Sequence, residues 1–548
     1  MFQAFQLLSK CERFHAMRYE NVFKISEKYD VITFDVFDTL IIRDVMKPVD
    51  VFRFSYGEVG RYLRIIAEMR ARKASETGEV TLEDIEKKWP FSCQKEIQFE
   101  RSICRANPVI RKLYDALKTQ GKRIYAISDM YLDSKTISGI LKKAGYDIPV
   151  IVSSEHGCDK RSGRLFKKFL AENSLDPSRV LHIGDSEESD KNGARKAGIA
   201  CIQVKKHTNH LKYTGYSRNN YELAAFVNHG LYEVDDQISR LGYEIIGPII
   251  LAFCQWIHEK NKEEGFERLY FLARDMRFTY DIYRTLYPED DARYLCVSRK
   301  SFEYARKNPG EICKYLRKEG CFGNVAIVDT GWIGNAQVEI EKYAKMIEPK
   351  SDIGGLYLGS KLAYRLKKRS SRSHVCLYKN LLEQYKCQLY PPFMETLIGC
   401  NEKQVIRYEN GNPVFDRDID RDNTNLLKQG ARFFIDNWVA RKNKLIPKYM
   451  VRKPFERLFY NPQKKDMEMI GDLHYEDFKD TKILSFDEKG HYWKNPVKML
   501  TDLGDSAWKG AFMKRCGVWY PVMLGGYLIL GTVRLYLGDR KKNTNNSL

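Results

Sequence analysis

The sequence predicts an α/β protein whose first part is a parallel sheet, on three observations. Short apolar runs end in polar loops: "VITFDVFDTL" (31–40), "KRIYAIS" (122–128) and "RVLHIGD" (179–185). Segments of helical pattern follow them, as βαβ units require. Acids collect where the runs end, and that is where a parallel sheet gathers its ligands. At 548 residues the chain exceeds a single hydrophobic core, so two or three domains are expected.

Taken in order, residues 1–30 read as a helical lead-in, and 31–42 as a buried strand followed by a turn. Residues from about 45 to 115 are helical in pattern, as in "VGRYLRIIAEMRARKASETG". "TLEDIE" places a helix N-terminus at Thr81, followed by two acids. The strands 122–128 and 179–185 complete a first domain over 31–210, and a polar stretch within 211–240 reads as a linker. A second α/β domain is expected over 241–405, from "RLYFLARDMRFTYDIYRTL", "NVAIVDTGWIGNAQVEIEKY" and "DIGGLYLGS". Residues 406–510 show no regular pattern, and 511–548 hold an uncharged stretch and a basic tail.

The hydrophobic share of 43% fits a folded protein. A net charge of +20 favours acidic partners, whether phosphorylated substrates, nucleic acid or anionic lipid. The basic run 361–374 reads as a solvated helix face; no nucleic-acid-binding module is recognisable, and nucleic acid is not expected as a partner. His207 and His210 lie in the polar linker with no acid or cysteine beside them, so a metal is not expected there. The thirteen cysteines show neither CxxC pairs nor zinc spacing. The first residues lack a basic segment followed by a long apolar one, so no signal peptide is read and a reducing cytoplasm is expected.

Three strand ends carry groups suited to phosphate chemistry: Asp35, Asp38 and Thr39; Ser128 and Asp129; Gly184, Asp185 and Ser186, with Asp190 following. Lys160 lies in the loop "GCDKRSGRLF" between the second and third. A carboxylate such as Asp35 can attack phosphorus and form an aspartyl-phosphate. Ser128 can donate to a phosphoryl oxygen, and Lys160 can offset charge on nucleophile and phosphate. Asp35, Asp185 and Asp190 would repel one another unless a cation sat among them, and Mg²⁺ suits oxygen ligands and phosphate.

This set, in this order, resembles the haloacid dehalogenase (HAD) superfamily of hydrolases. "FDVFDTL" is similar to its first motif, "YAISDM" to its second, Lys160 to its third and "HIGDSEESD" to its fourth. The resemblance implies a HAD-type Rossmann-like parallel sheet with a helical cap inserted after the first strand, here about 45–115. It implies Asp35, Ser128 and Lys160 as catalytic groups, and a Mg²⁺ site of Asp35, Asp185, Asp190 and the main-chain carbonyl of Phe37. Thr39 and Asp129 are expected at the substrate. The expected activity is Mg²⁺-dependent hydrolysis of a small phosphorylated metabolite. A closing cap would exclude water and limit substrate size.

The family's phosphatases place a second aspartate two residues after the nucleophile, as general acid and base. Here that residue is Phe37; Asp38 follows, where many relatives have glycine. Losing a general acid costs about 10²–10⁴ in rate. Three readings stay open: a substrate with a good leaving group, an acid supplied by Asp38 or the cap, or a domain that binds a phosphorylated ligand and turns it over poorly. Asp38 as a turn-capping side chain is the plainer role.

In the second domain, Arg274 and Asp275, Ser298 and Arg299, and Asp329, Trp332 and Gln337 fall at strand ends. Arg274 and Arg299 are candidates for a phosphate or diphosphate site; buried ion pairs tying loops together are the plainer explanation. The pairing of both regions is similar to large bacterial HAD-type proteins linked with surface-polysaccharide genes. That resemblance implies a role in polysaccharide biosynthesis, or alternatively a non-catalytic scaffold for polysaccharide assembly. Residues 516–533 carry no charge, with Lys514 and Arg515 before them and Arg534 after. A buried helix or hairpin strand explains them without lipid; attachment to the inner face of an anionic membrane is the alternative.

Overall fold

The computed structural model describes residues 22–45, 47–204, 221–231, 233–234, 236–360, 372–377, 385–391, 393–400, 402–416, 424–476, 480–487, 492 and 494–545. Most of the helical lead-in expected at 1–30, and the histidines at 207 and 210, lie outside them. The chain divides into two compact units, Met1–Asp235 and Asp236–Leu548.

The first unit is built on β1 (Val31–Phe34), β4 (Arg123–Ser128), β5 (Val150–Val152), β6 (Val180–Gly184) and β7 (Ala200–Gln203), in the order β5-β4-β1-β6-β7. Every pairing is parallel. β1 is central, and all four of its residues are buried, as expected of a strand covered on both faces. Its neighbours are in step: Phe34 pairs with Ala126 on one side and Ile183 on the other. The residues just beyond these positions therefore leave the sheet at one edge.

Between β1 and β4 the chain makes an excursion. β2 (Ile41–Arg43) leaves and β3 (Cys104–Ala106) returns as a two-stranded antiparallel ribbon. Between them lie the helices Asp50–Ala74, Leu82–Glu86 and Gln94–Ile103. The first bends at Gly57, whose φ is 75°. Thr81 caps the second as its sequence predicts: its hydroxyl accepts from the Asp84 N–H at 3.2 Å, and Asp84 Oδ2 accepts from the Thr81 N–H at 3.1 Å. A buried pair ties the first helix to the third, with Arg64 Nε and Nη2 donating to Glu96 at 2.8 and 3.0 Å.

Part of the stretch expected as linker is ordered against this unit. Tyr221–Gly230 is a helix, and its His229 Nδ1 lies 3.3 Å from Asp44 Oδ1.

The second unit holds a second parallel sheet of β8 (Arg268–Leu272), β9 (Ala292–Leu295), β10 (Asn324–Trp332), β11 (Asp352–Ser360) and β12 (Ser373–Val375), ordered β12-β11-β10-β8-β9. The apolar helix Gly247–Glu264 precedes it, buried through most of its length. The region expected to be irregular is largely helical, with Asn425–Arg441, Lys448–Tyr460, Lys464–Ile470 and Pro496–Asp505. Leu427, Ala431, Phe434, Ile435 and Trp438 are all buried, at the spacing of one helix face. β13 (Val405–Glu409) and β14 (Asn412–Phe415) form a hairpin closed by Asn410 and Gly411, with φ of 51° and 73°. Asn-Gly is the pair that such a turn favours.

Candidate active site

β1 runs out at Phe34, but the ladder continues one residue: the Asp35 N–H donates to the Ile183 carbonyl at 2.9 Å. Asp35 is thus fixed at the carboxyl edge beside β6, and only 7% of it is exposed. The chain then turns back, with the Ile41 N–H donating to the Val36 carbonyl at 2.9 Å. That reversal needs a left-handed residue, and Asp38 supplies it with φ 62°. Aspartate tolerates this conformation better than most side chains. Asp38 lies close enough to Arg43 and His229 to shift both electrostatically.

Lys160 reaches the same edge from a loop pinned at two points. Its N–H donates to Asp129 Oδ1 at 2.9 Å. Its carbonyl oxygen lies against Gly193, where a Cβ would sit 2.1 Å away, so no larger residue fits there. The ammonium is 2% exposed, and Nζ lies 2.5 Å from both Asp35 Oδ1 and Asp190 Oδ1.

Asp190 comes from a wide turn after β6, closed by the Lys191 N–H donating to the Ser186 carbonyl at 3.1 Å. It folds back over Gly184, where a Cβ would fall 2.3 Å from its carboxyl carbon. His182 Nε2 is 3.1 Å from Oδ1, and the Ser186 N–H donates to Oδ2 at 2.8 Å. His182 is held in turn by Thr33, whose hydroxyl is 2.8 Å from Nδ1. Asp185 follows directly on β6 and is 8% exposed.

One oxygen from each of Asp35, Asp185 and Asp190 lies within 4.8 Å of the others. Asp35, Asp190 and Asp129 all act on the one lysine. Burial pushes the Asp35 carboxyl up to about 7 against the pull of Lys160, and the charge on Asp190 adds to the rise. Burial also opposes ionisation of Asp190, but Lys160 and His182 hold it well below the usual carboxylate range. Burial disfavours the charged lysine too, yet Asp35, Asp190 and Asp129 raise it, so Lys160 stays charged. Asp129 is pushed up to about 6, chiefly by burial. A pocket of carboxylate oxygens short of positive charge fits a hard divalent cation, and Mg²⁺ matches this donor set. Asp190 Oδ2 accepts only the Ser186 N–H among the described hydrogen bonds, which leaves it a lone pair for such an ion.

Ser128 ends β4 next to β1 and is 1% exposed. Thr39 is buried, and its hydroxyl has no hydrogen-bond partner among the described residues. Phe37 projects no acid: the Arg43 guanidinium lies over its ring, 3.8 Å from the centroid, and Arg43 pairs with buried Glu100. Sequence alone assigns no role to His182 or Arg43, whereas Ser186 is among the groups expected at the third strand end. Of the first two, only His182 carried a signal, as a polar side chain inside an apolar strand.

Of the groups expected in the second domain, Arg274, Asp275, Arg299 and Asp329 lie close enough on the second unit to act on one another. Arg274 has φ 71°, and its N–H donates to the Tyr294 hydroxyl at 2.6 Å. Asp275 is pushed well up by burial, then by Glu395 and Asp329, while Arg274 and Arg299 oppose the rise. Ser298 caps the helix Arg299–Lys307. Gln337 is a buried tie, with Nε2 donating to the Ile353 carbonyl at 2.7 Å. The Trp332 side chain lies outside the described residues.

Comparison with known proteins gives one family match, to a model described as HAD-hydrolase-like, over residues 157–221. That segment contains Lys160, Asp185 and Asp190. No curated protein matches the chain. Solved structures similar to it include a HAD family enzyme from Bacteroides thetaiotaomicron, at 19% identity and TM-score 0.27, covering 32% of this chain and 94% of that one. A 2-haloacid dehalogenase from Pseudomonas syringae pv. Tomato is 17% identical at TM-score 0.26, covering 32% and 86%. The HAD-hydrolase YfnB of Bacillus subtilis, described as bound to magnesium, is 18% identical at TM-score 0.24, covering 32% and 87%.

Proposed function

We propose that the first unit is a HAD-type hydrolase that removes a phosphoryl group from a small metabolite through an aspartyl-phosphate on Asp35. One observation carries this reading: Lys160 Nζ lies 2.5 Å from both Asp35 and Asp190, with Asp185 alongside. That arrangement presents a carboxylate nucleophile, a fixed cation and a set of metal ligands at one sheet edge.

In the proposed reaction an oxygen of Asp35 attacks phosphorus, and the bond from phosphorus to the leaving group breaks. Water then attacks the phosphorus of the acyl phosphate, releasing phosphate and restoring the carboxylate. Lys160 offsets charge on the nucleophile and the transferred group, and Asp129 and Gly193 keep its loop in place. The hydroxyls of Ser128 and Thr39 donate to phosphoryl oxygens. His182 and Ser186 orient Asp190. Asp35, Asp185, Asp190 and the Phe37 carbonyl would hold Mg²⁺, which supplies the remaining positive charge between nucleophile and phosphate. The helices of 50–103 act as the cap.

With no acid at residue 37, the leaving group departs without a proton from that position. Aryl and acyl phosphates are therefore the favoured substrates. Their hydrolysis, followed with Mg²⁺ and again with a chelator, tests the proposal. Metal-dependent turnover is the expected result. A folded protein inactive on both classes would instead support the rival reading, a phospho-ligand-binding scaffold for surface-polysaccharide assembly. The rival rests on Phe37 and the arginine over it.

The same arginine yields a second expectation. Phe37→Asp would place a carboxylate beside Arg43, which would keep it ionised and a poor proton donor. Turnover of alkyl phosphates by this variant is expected to stay within about threefold of wild type, far short of the roughly 10²–10⁴ that a working general acid contributes. A gain in that larger range would show that Arg43 does not hold the new acid.

A further inference from the structure

The C-terminal helix Tyr520–Asn545 carries an apolar stripe that no described residue covers. Val522 is 67% exposed, Ile529 65%, Leu530 71% and Val533 46%, and Val518 in the turn before the helix is 88% exposed. Val522, Ile529 and Val533 are seven and four residues apart, which puts them within about 40° of one another around the helix. Gly531 lies on the opposite side, about 180° from Val522. There the helix rests on its own unit: a Cβ on Gly531 would be 3.3 Å from Gln388 Oε1. One face is thus held by protein, and the other is exposed among the described residues.

Another apolar helix of the unit is treated differently. Gln237–Glu264 is long and apolar enough to cross a membrane, and its most apolar window is 94% buried within the protein. The fold buries that helix, whereas Gly517–Val533, also apolar, keeps Val522, Ile529 and Val533 exposed among the described residues.

The charges identify what would cover it. Residues 516–533 hold none, Lys514 and Arg515 stand just before, and Arg534, Arg540, Lys541 and Lys542 follow, with Asp539 the one acid of the tail. A second copy of the stripe would bring these basic ends together, and they would repel. An anionic lipid surface complements them. Trp519 and Tyr520 stand at the start of the helix, and such rings favour the headgroup layer; Lys514 Nζ lies 4.9 Å from the Tyr520 ring centroid. The apolar stretch 517–533 is about 26 Å long at 1.5 Å per residue. Because its Gly531 side rests on protein, the helix suits the plane of a bilayer surface and does not suit a crossing.

We propose that this helix is a membrane-seating element: its Val522–Ile529–Val533 face enters an anionic lipid bilayer, and the basic residues at its two ends bind the headgroups. The proposal is independent of the hydrolase reading. The full chain is floated with vesicles containing phosphatidylglycerol, with phosphatidylcholine vesicles as reference, beside the double variant Val522→Asp, Ile529→Asp. These positions already face solvent, so the variant is expected to fold, and circular dichroism melting checks that it does. Wild type is expected to rise with the anionic vesicles, with less rising at high salt, and the double variant to fall by about tenfold or more. No flotation of wild type, equal flotation on neutral vesicles, or flotation unchanged in the variant overturns the proposal. So does a concentration-dependent dimer that the variant dissociates, which would identify a second copy as the occupant.

Discussion

Asp35→Asn is expected to lower turnover of aryl and acyl phosphates by at least about 10³-fold, since no other group replaces a lost nucleophile. The folded state should not suffer. Asp35 is 7% exposed, and burial raises its carboxyl to about 7. A carboxyl with a raised folded-state pKa loses stability as pH climbs from its ordinary 3.8 toward that value, and the loss persists above it. Asparagine removes that charge, and Lys160 keeps its bond to Asp190. In chelator near neutral pH, the variant should melt no lower than wild type. Mg²⁺ should stabilise it less than it stabilises wild type, because one of three carboxylates has gone. Activity that survives the substitution would remove Asp35 as nucleophile.

Lys160→Met is expected to have the largest effect on stability. It leaves Asp35 and Asp190 buried with no cation between them, and breaking a buried pair from one side costs about 3–5 kcal/mol. The deficit should depend on pH. Without the lysine both carboxyls are raised, so lowering the pH from above 7 toward 4 should protonate them in the folded state and recover stability. In wild type the lysine's contribution has the opposite limits. Its pKa is raised, so the contribution is complete below its ordinary 10.5 and persists through neutral pH. Chemical denaturation of both proteins across that range measures the difference. A variant as stable as wild type in chelator, with no dependence on pH, would show that Lys160 does not compensate the acids.

The candidate site was legible in the sequence to the extent that strand ends are legible. Asp35, Ser128, Lys160, Asp185 and Asp190 each follow or flank a short apolar run, and the structure brings three of the acids and the lysine together. The roles of His182 and Arg43 were not legible, because Thr33 and Glu100, which they meet, are 149 and 57 residues away, and Arg43 sits in no motif. The hairpin 405–415 and the helix 425–441 did carry readable signals, an Asn-Gly turn and a regular apolar stripe. Arginines and aromatic residues interleaved among the apolar positions obscured both.

Local chemistry in the sequence determined where strands end, which acids stand there and that residue 37 is not one of them. Tertiary structure decided the rest. Only the packed sheet shows that Asp35, Asp129 and Asp190 act on one lysine, that Arg43 covers Phe37, and that one apolar helix is buried while another keeps an apolar face exposed among the described residues. The physical reason is that pairing and burial depend on distances between residues far apart in the chain, and charges a few ångströms apart in a dry pocket set one another's ionisation.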